Sequence, residues 1–226
     1  MNDADKHWFN QLVQQSTGVG LLGGLLLRAG EIMNDAEKEH AFWEGKAAHS
    51  EFVAIEAIGP DPSAWDGELL ERDLTRILRA LEYVSPAIAA LRIVDLGCGI
   101  GRVAIPLAQR LAMRSNKPWE VVGVDISAAM LRYAAARDRA TQFSYIPEWF
   151  ECDGRTLPDV GIIALAYSTL MFQHIPRTAA ADYIRQLGAR TSSGGVLLFQ
   201  TLEGTGGDFL WNEMTEDFVR EACAAG

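Results

Sequence analysis

The chain has 226 residues, 49% of them apolar, with 20 Lys and Arg against 30 Asp and Glu, a formal charge of −10. That length suits one α/β domain with a helical extension, and the apolar content supplies a core and excludes a disordered chain. The acidic balance, with no block of Lys or Arg, speaks against a protein that grips a phosphate backbone, so no nucleic-acid partner is expected.

Three cysteines, Cys98, Cys152 and Cys223, lie far apart with no CxxC pairing. They read as reduced thiols of a cytoplasmic protein, with no metal site. The start, MNDADKHWFN, lacks the basic character of a secretion signal. The apolar stretch from Val19 to Leu27 is far shorter than the ~20 residues of a membrane span, so no membrane partner is expected.

In chain order, residues 1–58 read as helical, with Trp8, Leu12 and Val13 at helical spacing and Phe42, Trp43, Phe52 and Ile55 as buried candidates. GPDPSAWDG breaks the pattern as a loop. ELLERDLTRILRALEYV then sets Leu70, Leu74, Ile77, Leu78 and Leu81 on one helical face. From there the chain alternates: strand LRIVDLG, helix GRVAIPLAQRLAMR, strand WEVVGVDI, and a helix capped by Ser127. A strand ending near Cys152, the strand VGIIALAYS, the helix TAAADYIRQLGAR, the strand SGGVLLFQTL and a last helix TEDFVREACAA follow. Apolar strands alternating with helices predict a mostly parallel sheet covered on both faces. The expected architecture is an N-terminal helical extension over residues 1–67 and an α/β domain over 68–226. No strand follows the last helix, so the sheet's terminal strands are expected to be missing. Either that edge is covered by a partner, such as the second copy of a homodimer, or final strands are lacking.

The chemistry gathers in IVDLGCGIGRVA, where three glycines follow a strand that ends near Asp95. Ligands of open α/β sheets bind at the carboxyl ends of strands near the topological switch point. Asp125 ends the next strand, where an acid accepts hydrogen bonds from a ribose diol, and Asp153 follows the third. The glycines run GxGxG, not the GxGxxG of a dinucleotide cradle, and acids fit a cationic sulfonium better than a diphosphate.

With VDLGCGIGR, VVGVDIS, ECDG, ALAYSTLMFQHIP and GGVLLFQT in this order, the chain resembles the class I S-adenosylmethionine-dependent methyltransferases, small-molecule type. The resemblance implies a Rossmann-like three-layer sandwich with S-adenosylmethionine as cofactor and S-adenosylhomocysteine as product. It places Asp95, Gly97, Cys98, Gly99, Gly101 and Arg102 along the cofactor, the first of these with Gly97 and Gly99 at its methionine part. It puts Asp125 on the ribose, Ile126 against the adenine with Met130 nearby, and Cys152, Asp153 and Gly154 at the adenine edge. Tyr167 and Ser168 line the methionine end. Beside these stand plainer readings: Gly101 packs helix on strand, Cys98 fills the turn, and Asp153 belongs to a turn.

His174 follows the fourth strand and is the candidate general base, with a structural role at the helix start as its rival. HAFWEGKAAHSEF resembles the helical lid of small-molecule members, which makes Phe42, Trp43, His49 and Glu56 lid candidates, facing Tyr167 and His174 across the acceptor pocket. The expected function is methyl transfer to an oxygen or nitrogen of a small molecule, with carbon left open. Methylation of a protein or peptide terminus and a non-catalytic, cofactor-binding subunit are the alternatives.

Overall fold

The computed structural model describes residues 35–49, 67–140, 147–200 and 221–222. Its centre is a parallel sheet of β1 (Arg92–Leu96), β2 (Glu120–Asp125), β3 (Glu148–Glu151), β4 (Ile163–Ser168) and β5 (Thr191–Phe199), ordered β3-β2-β1-β4-β5. All four pairings are parallel. The helices are α1 (Asp35–His49), α2 (Glu68–Glu82), α3 (Ala104–Arg114), α4 (Ala128–Ala140) and α5 (Arg177–Arg190).

Period-2 alternation splits the apolar strands between two cores. Ile93, Val121 and Leu165 face α2 and α3, where they meet Leu74, Ile77, Leu107 and Leu111. Val94, Val122 and Ala166 face the other way, onto Ile184 and Leu187 of α5. Because both faces are covered, β4 is buried along its whole length, as its unbroken apolar sequence predicts. β5 is half-buried and, among the described residues, forms one edge of the sheet.

Helix boundaries follow local chemistry. Ser127 caps α4 as expected, its Oγ accepting from the Met130 N–H at 3.1 Å. α3 begins at Ala104, three residues into the stretch GRVAIPLAQRLAMR, because residues 101–103 still belong to the turn. α2 carries Glu68 and Glu71 in its first turn and Arg79 in its last, matching the helix dipole. Trp8, Phe52, Ile55 and most of the expected final helix lie outside the described residues; Glu221 and Ala222 within it are helical.

β1 sits between β2 and β4, so the loops that leave β1 and β4 part in opposite directions. That divergence opens a crevice at the strands' carboxyl ends. The amino ends are closed by Arg92, whose guanidinium donates to Glu120 (2.9 Å) and to the Val160 carbonyl (3.0 Å) and pairs with Glu148 at 3.4 Å. Among the described residues no helix is long and apolar enough to cross a membrane.

Candidate active site

The loop after β1 is tied to its neighbour strand. Gly97 and Cys98 both donate their N–H to the Val124 carbonyl, at 2.8 and 3.1 Å. Gly99 stands at φ +53, in the left-handed region, and nothing lies within 4 Å of where its Cβ would be. Its backbone is therefore open to a ligand. Gly101 differs: a Cβ there would meet Trp149 at 2.8 Å and Ile105 at 2.9 Å, so it packs loop against sheet, the plainer of its two expected roles.

Asp125, at the tip of β2, clasps this loop from the side. Its Oδ2 accepts from the Gly99 N–H at 2.7 Å and its Oδ1 from the Ser127 N–H at 2.9 Å. Burial pushes its carboxyl up, against the pull of these donors, and the charge of Glu44 adds to the rise. A carboxylate offers about four acceptor positions, so acceptor capacity remains beyond these donors.

Asp95 lies deeper. Burial pushes its carboxyl up to about 7, while the Tyr167 hydroxyl and the Arg102 guanidinium pull it down and Asp125 and Asp73 push it further up. Parallel register sets Asp95 beside Tyr167 on β4. Yet Asp95 Oδ2 and the Tyr167 hydroxyl are both buried without a hydrogen bond of ordinary geometry. Arg102 donates to Asp73 Oδ2 of α2 at 3.0 Å, an ion pair buried on both sides.

These groups line one cleft, which encloses about 1070 Å³ counting its open mouth. Of the expected cofactor residues, Asp95, Gly97, Cys98, Gly99, Arg102, Asp125, Ile126, Met130, Cys152 and Gly154 stand in its wall. Tyr167 and Ser168 are fully buried behind it, and Ser168 Oγ donates to the Leu96 carbonyl at 2.7 Å. Asp153 is held in a turn: its Oδ1 accepts from the Arg155 and Thr156 N–H groups at 2.8 and 2.6 Å. Burial works to raise its carboxyl, but those donors prevail and hold it below the usual range. Asp153 opens instead on a neighbouring groove with Ile126 and Cys152. Burial, with Asp125 and Asp95 close by, pushes the Cys98 thiol up, which suits a turn filler and not a nucleophile.

α1 runs over the mouth. Trp43 lines the cleft, meets His174 edge-on at 5.6 Å between ring centroids, and carries Phe42 edge-on at 5.1 Å. His174 also stands in the wall, in a 3-10 turn whose His174 N–H donates to the Met171 carbonyl at 2.8 Å. Glu56 and the His49 side chain lie outside the described residues.

Several site residues left no local trace in the sequence. Glu39 of α1 and Tyr183 of α5 line the cleft, and the Tyr183 hydroxyl donates to Cys152 Sγ at 3.3 Å. Leu170 lines it at φ +68, a strained value for a branched side chain. Asp73 reads in sequence as one more polar position of an amphipathic helix. Among the described residues no cluster of three or more His, Cys, Asp or Glu is placed to hold a metal.

Residues 93–195 match the family model described as a methyltransferase domain. A trans-aconitate 2-methyltransferase of Azoarcus sp. is 34% identical over 128 residues, which cover 56% of this chain and 45% of that protein. A 23S rRNA (uracil(1939)-C(5))-methyltransferase of Pseudomonas fluorescens is 33% identical over 114 residues, 50% of this chain and 23% of that protein. The chain thus spans about half the length of the first relative and about a quarter of the second. Among solved structures, magnesium protoporphyrin IX methyltransferase from Synechocystis PCC 6803 with bound SAM shares the fold. Its TM-score is 0.60 over 85% of this chain and 86% of that one, at 16% identity.

Proposed function

We propose that the chain is a class I S-adenosylmethionine-dependent methyltransferase that moves the methyl group of S-adenosylmethionine to an oxygen or nitrogen atom of a small molecule, a reading supported by the match of residues 93–195 to a methyltransferase-domain model. The observation that carries this reading is the charge of the cleft. Its wall holds the carboxylates Glu39, Asp95 and Asp125, while its guanidinium, Arg102, is engaged with Asp73. A sulfonium with an amino acid tail is attracted to such a wall; a diphosphate is repelled.

The residues present fit that cofactor. Asp125 has acceptor positions left for a ribose diol, and the bare Gly99 backbone beside it leaves room for the sugar. Asp95, buried with Oδ2 lacking a donor, supplies an acceptor for an ammonium group. Ile126 and Met130 give apolar cover on the Asp125 side.

When bound, S-adenosylmethionine supplies an already activated methyl group, so the protein's part is placement and exclusion of water. Trp43, Met171 and Ile175 make the remaining wall apolar, and Trp43 against His174 closes it. A small acceptor fits under that cover. The formal charge of −10 weighs against an RNA acceptor such as the one named for the rRNA relative. His174 takes a proton from the attacking oxygen or nitrogen in this reading, which its place in the cleft wall supports.

Calorimetry tests the cofactor: S-adenosylmethionine and S-adenosylhomocysteine are expected to bind, and NADH not to. Binding of NADH in place of both would overturn the reading. For His174, the rate-against-pH profile of His174→Ala is the check, and a profile unchanged from the parent removes it as the base.

A further inference from the structure

α1 is joined to the cleft by a carboxylate as well as by apolar contacts. Glu44 Oε1 accepts from the Ser127 hydroxyl at 3.0 Å and from the Ala129 N–H at 2.9 Å. Both donors lie at the amino end of α4, where leading N–H groups lack partners within the helix and a negative charge is favoured. The carboxylate that meets them comes from 83 residues earlier in the chain.

The contact continues into the site. Ser127 N–H donates to Asp125 Oδ1, and Asp125 Oδ2 accepts from Gly99. A line of hydrogen bonds therefore runs from the glycine loop through Asp125 and Ser127 to Glu44. The residue before Glu44 is Trp43, which meets His174 on the far wall. Around it Ala47 packs with Ile100, Ala129 and Met130. Apolar packing has no preferred direction, whereas two hydrogen bonds to one carboxylate set a position along the helix axis.

We propose that Glu44 is a positioning residue for methyl transfer: it fastens α1 across the cleft in the one register that brings Trp43 to His174, and it steadies the Ser127 turn that holds Asp125 for the ribose. The second half rests on the cofactor reading above; the first does not. α1 is then a lid that is latched at the cofactor's end of the cleft while its aromatic side chain covers the acceptor's end.

The test uses the full chain with Glu44→Ala and Glu44→Gln, read by amide hydrogen exchange across residues 39–47 without ligand and by the rate of S-adenosylhomocysteine release. Glu44→Ala is expected to speed exchange in α1 by about tenfold, the worth of a lost cap, and product release by a similar factor. Glu44→Gln, whose amide oxygen accepts the same two bonds, is expected to recover most of both. Unchanged exchange in Glu44→Ala, or no recovery in Glu44→Gln, overturns the latch. If the parent protein binds no S-adenosylhomocysteine, the cofactor reading and the ribose half fall, and the exchange arm still decides the latch.

Discussion

The two ends of the sheet are built on opposite terms. At the amino ends Arg92 satisfies itself on Glu120, Glu148 and the Val160 carbonyl, with all three side chains reaching solvent. At the carboxyl ends Arg102 and Asp73 pair out of water, Asp95 Oδ2 and the Tyr167 hydroxyl are buried without a hydrogen bond of ordinary geometry, and Leu170 holds a left-handed backbone. Each of those costs stability. The same sheet, equally parallel at both ends, shows that the topology does not demand this. At this sheet the poorly satisfied polar groups and the strained backbone gather at the cleft end.

The sharpest way to break the contrast is to remove one arginine from each end. Arg102→Ala takes the buried cation from Asp73, leaving it only the half-exposed Arg72 at 3.6 Å, and from beside Asp95, and is expected to cost about 3 kcal/mol in urea unfolding. Arg92→Ala, at a wet surface, is expected to cost about 1 kcal/mol or less. Equal losses would show that the two ends do not differ.

Ligand binding separates the ends next. Asp125→Ala removes two charge-assisted acceptors and is expected to weaken S-adenosylhomocysteine about hundredfold in calorimetry. Arg92→Ala should leave that affinity unaltered.

Protonation of Asp95 gives a smaller and graded effect. A carboxyl raised to about 7 in the fold favours the neutral form. Its contribution to stability is therefore complete below the ordinary carboxylate range and is lost as pH climbs through about 7. Binding of a cationic cofactor calls for the ionised form, so affinity should rise with pH by up to about tenfold per unit below 7 and then level off. Asp95→Asn is expected to flatten both dependences; a parent protein with pH-independent affinity across this window would contradict the assignment.

Leu170→Gly is the mildest test. Releasing the left-handed strain is expected to outweigh the loss of a half-buried side chain and raise stability by up to about 1 kcal/mol, seen as a higher melting temperature. A fall would mean that the Leu170 side chain contributes more than its backbone costs.

Much of this was legible in the residues. Strands β1, β2 and β4 read as apolar runs because both faces of the sheet are covered, and Ser127 read as a cap because its hydroxyl meets the next turn. Asp95, Gly99 and Asp125 were legible because each sits within a few residues of the strand end that places it. Tyr167 and Ser168 show where such reading stops. They stand at the carboxyl end of β4, yet the pleat and the register against β1 turn Tyr167 toward Asp95 beneath the wall and Ser168 onto Leu96. Asp153 likewise follows a strand as expected, but its nearest donors are the N–H groups of its own turn, and local bonds form before distant ones.

Sequence by itself determined the alternation of elements, the parallel sheet and the three acids near successive strand ends, because each follows from spacing over a few residues. Tertiary structure alone decided which acids meet: Asp73 with Arg102, 29 residues apart, and Glu44 with Ser127, 83 apart. Such pairs carry no local signature, since a carboxylate on a helix reads the same whether it faces water or a donor across the fold. What selects between the two is the packing that removes the water.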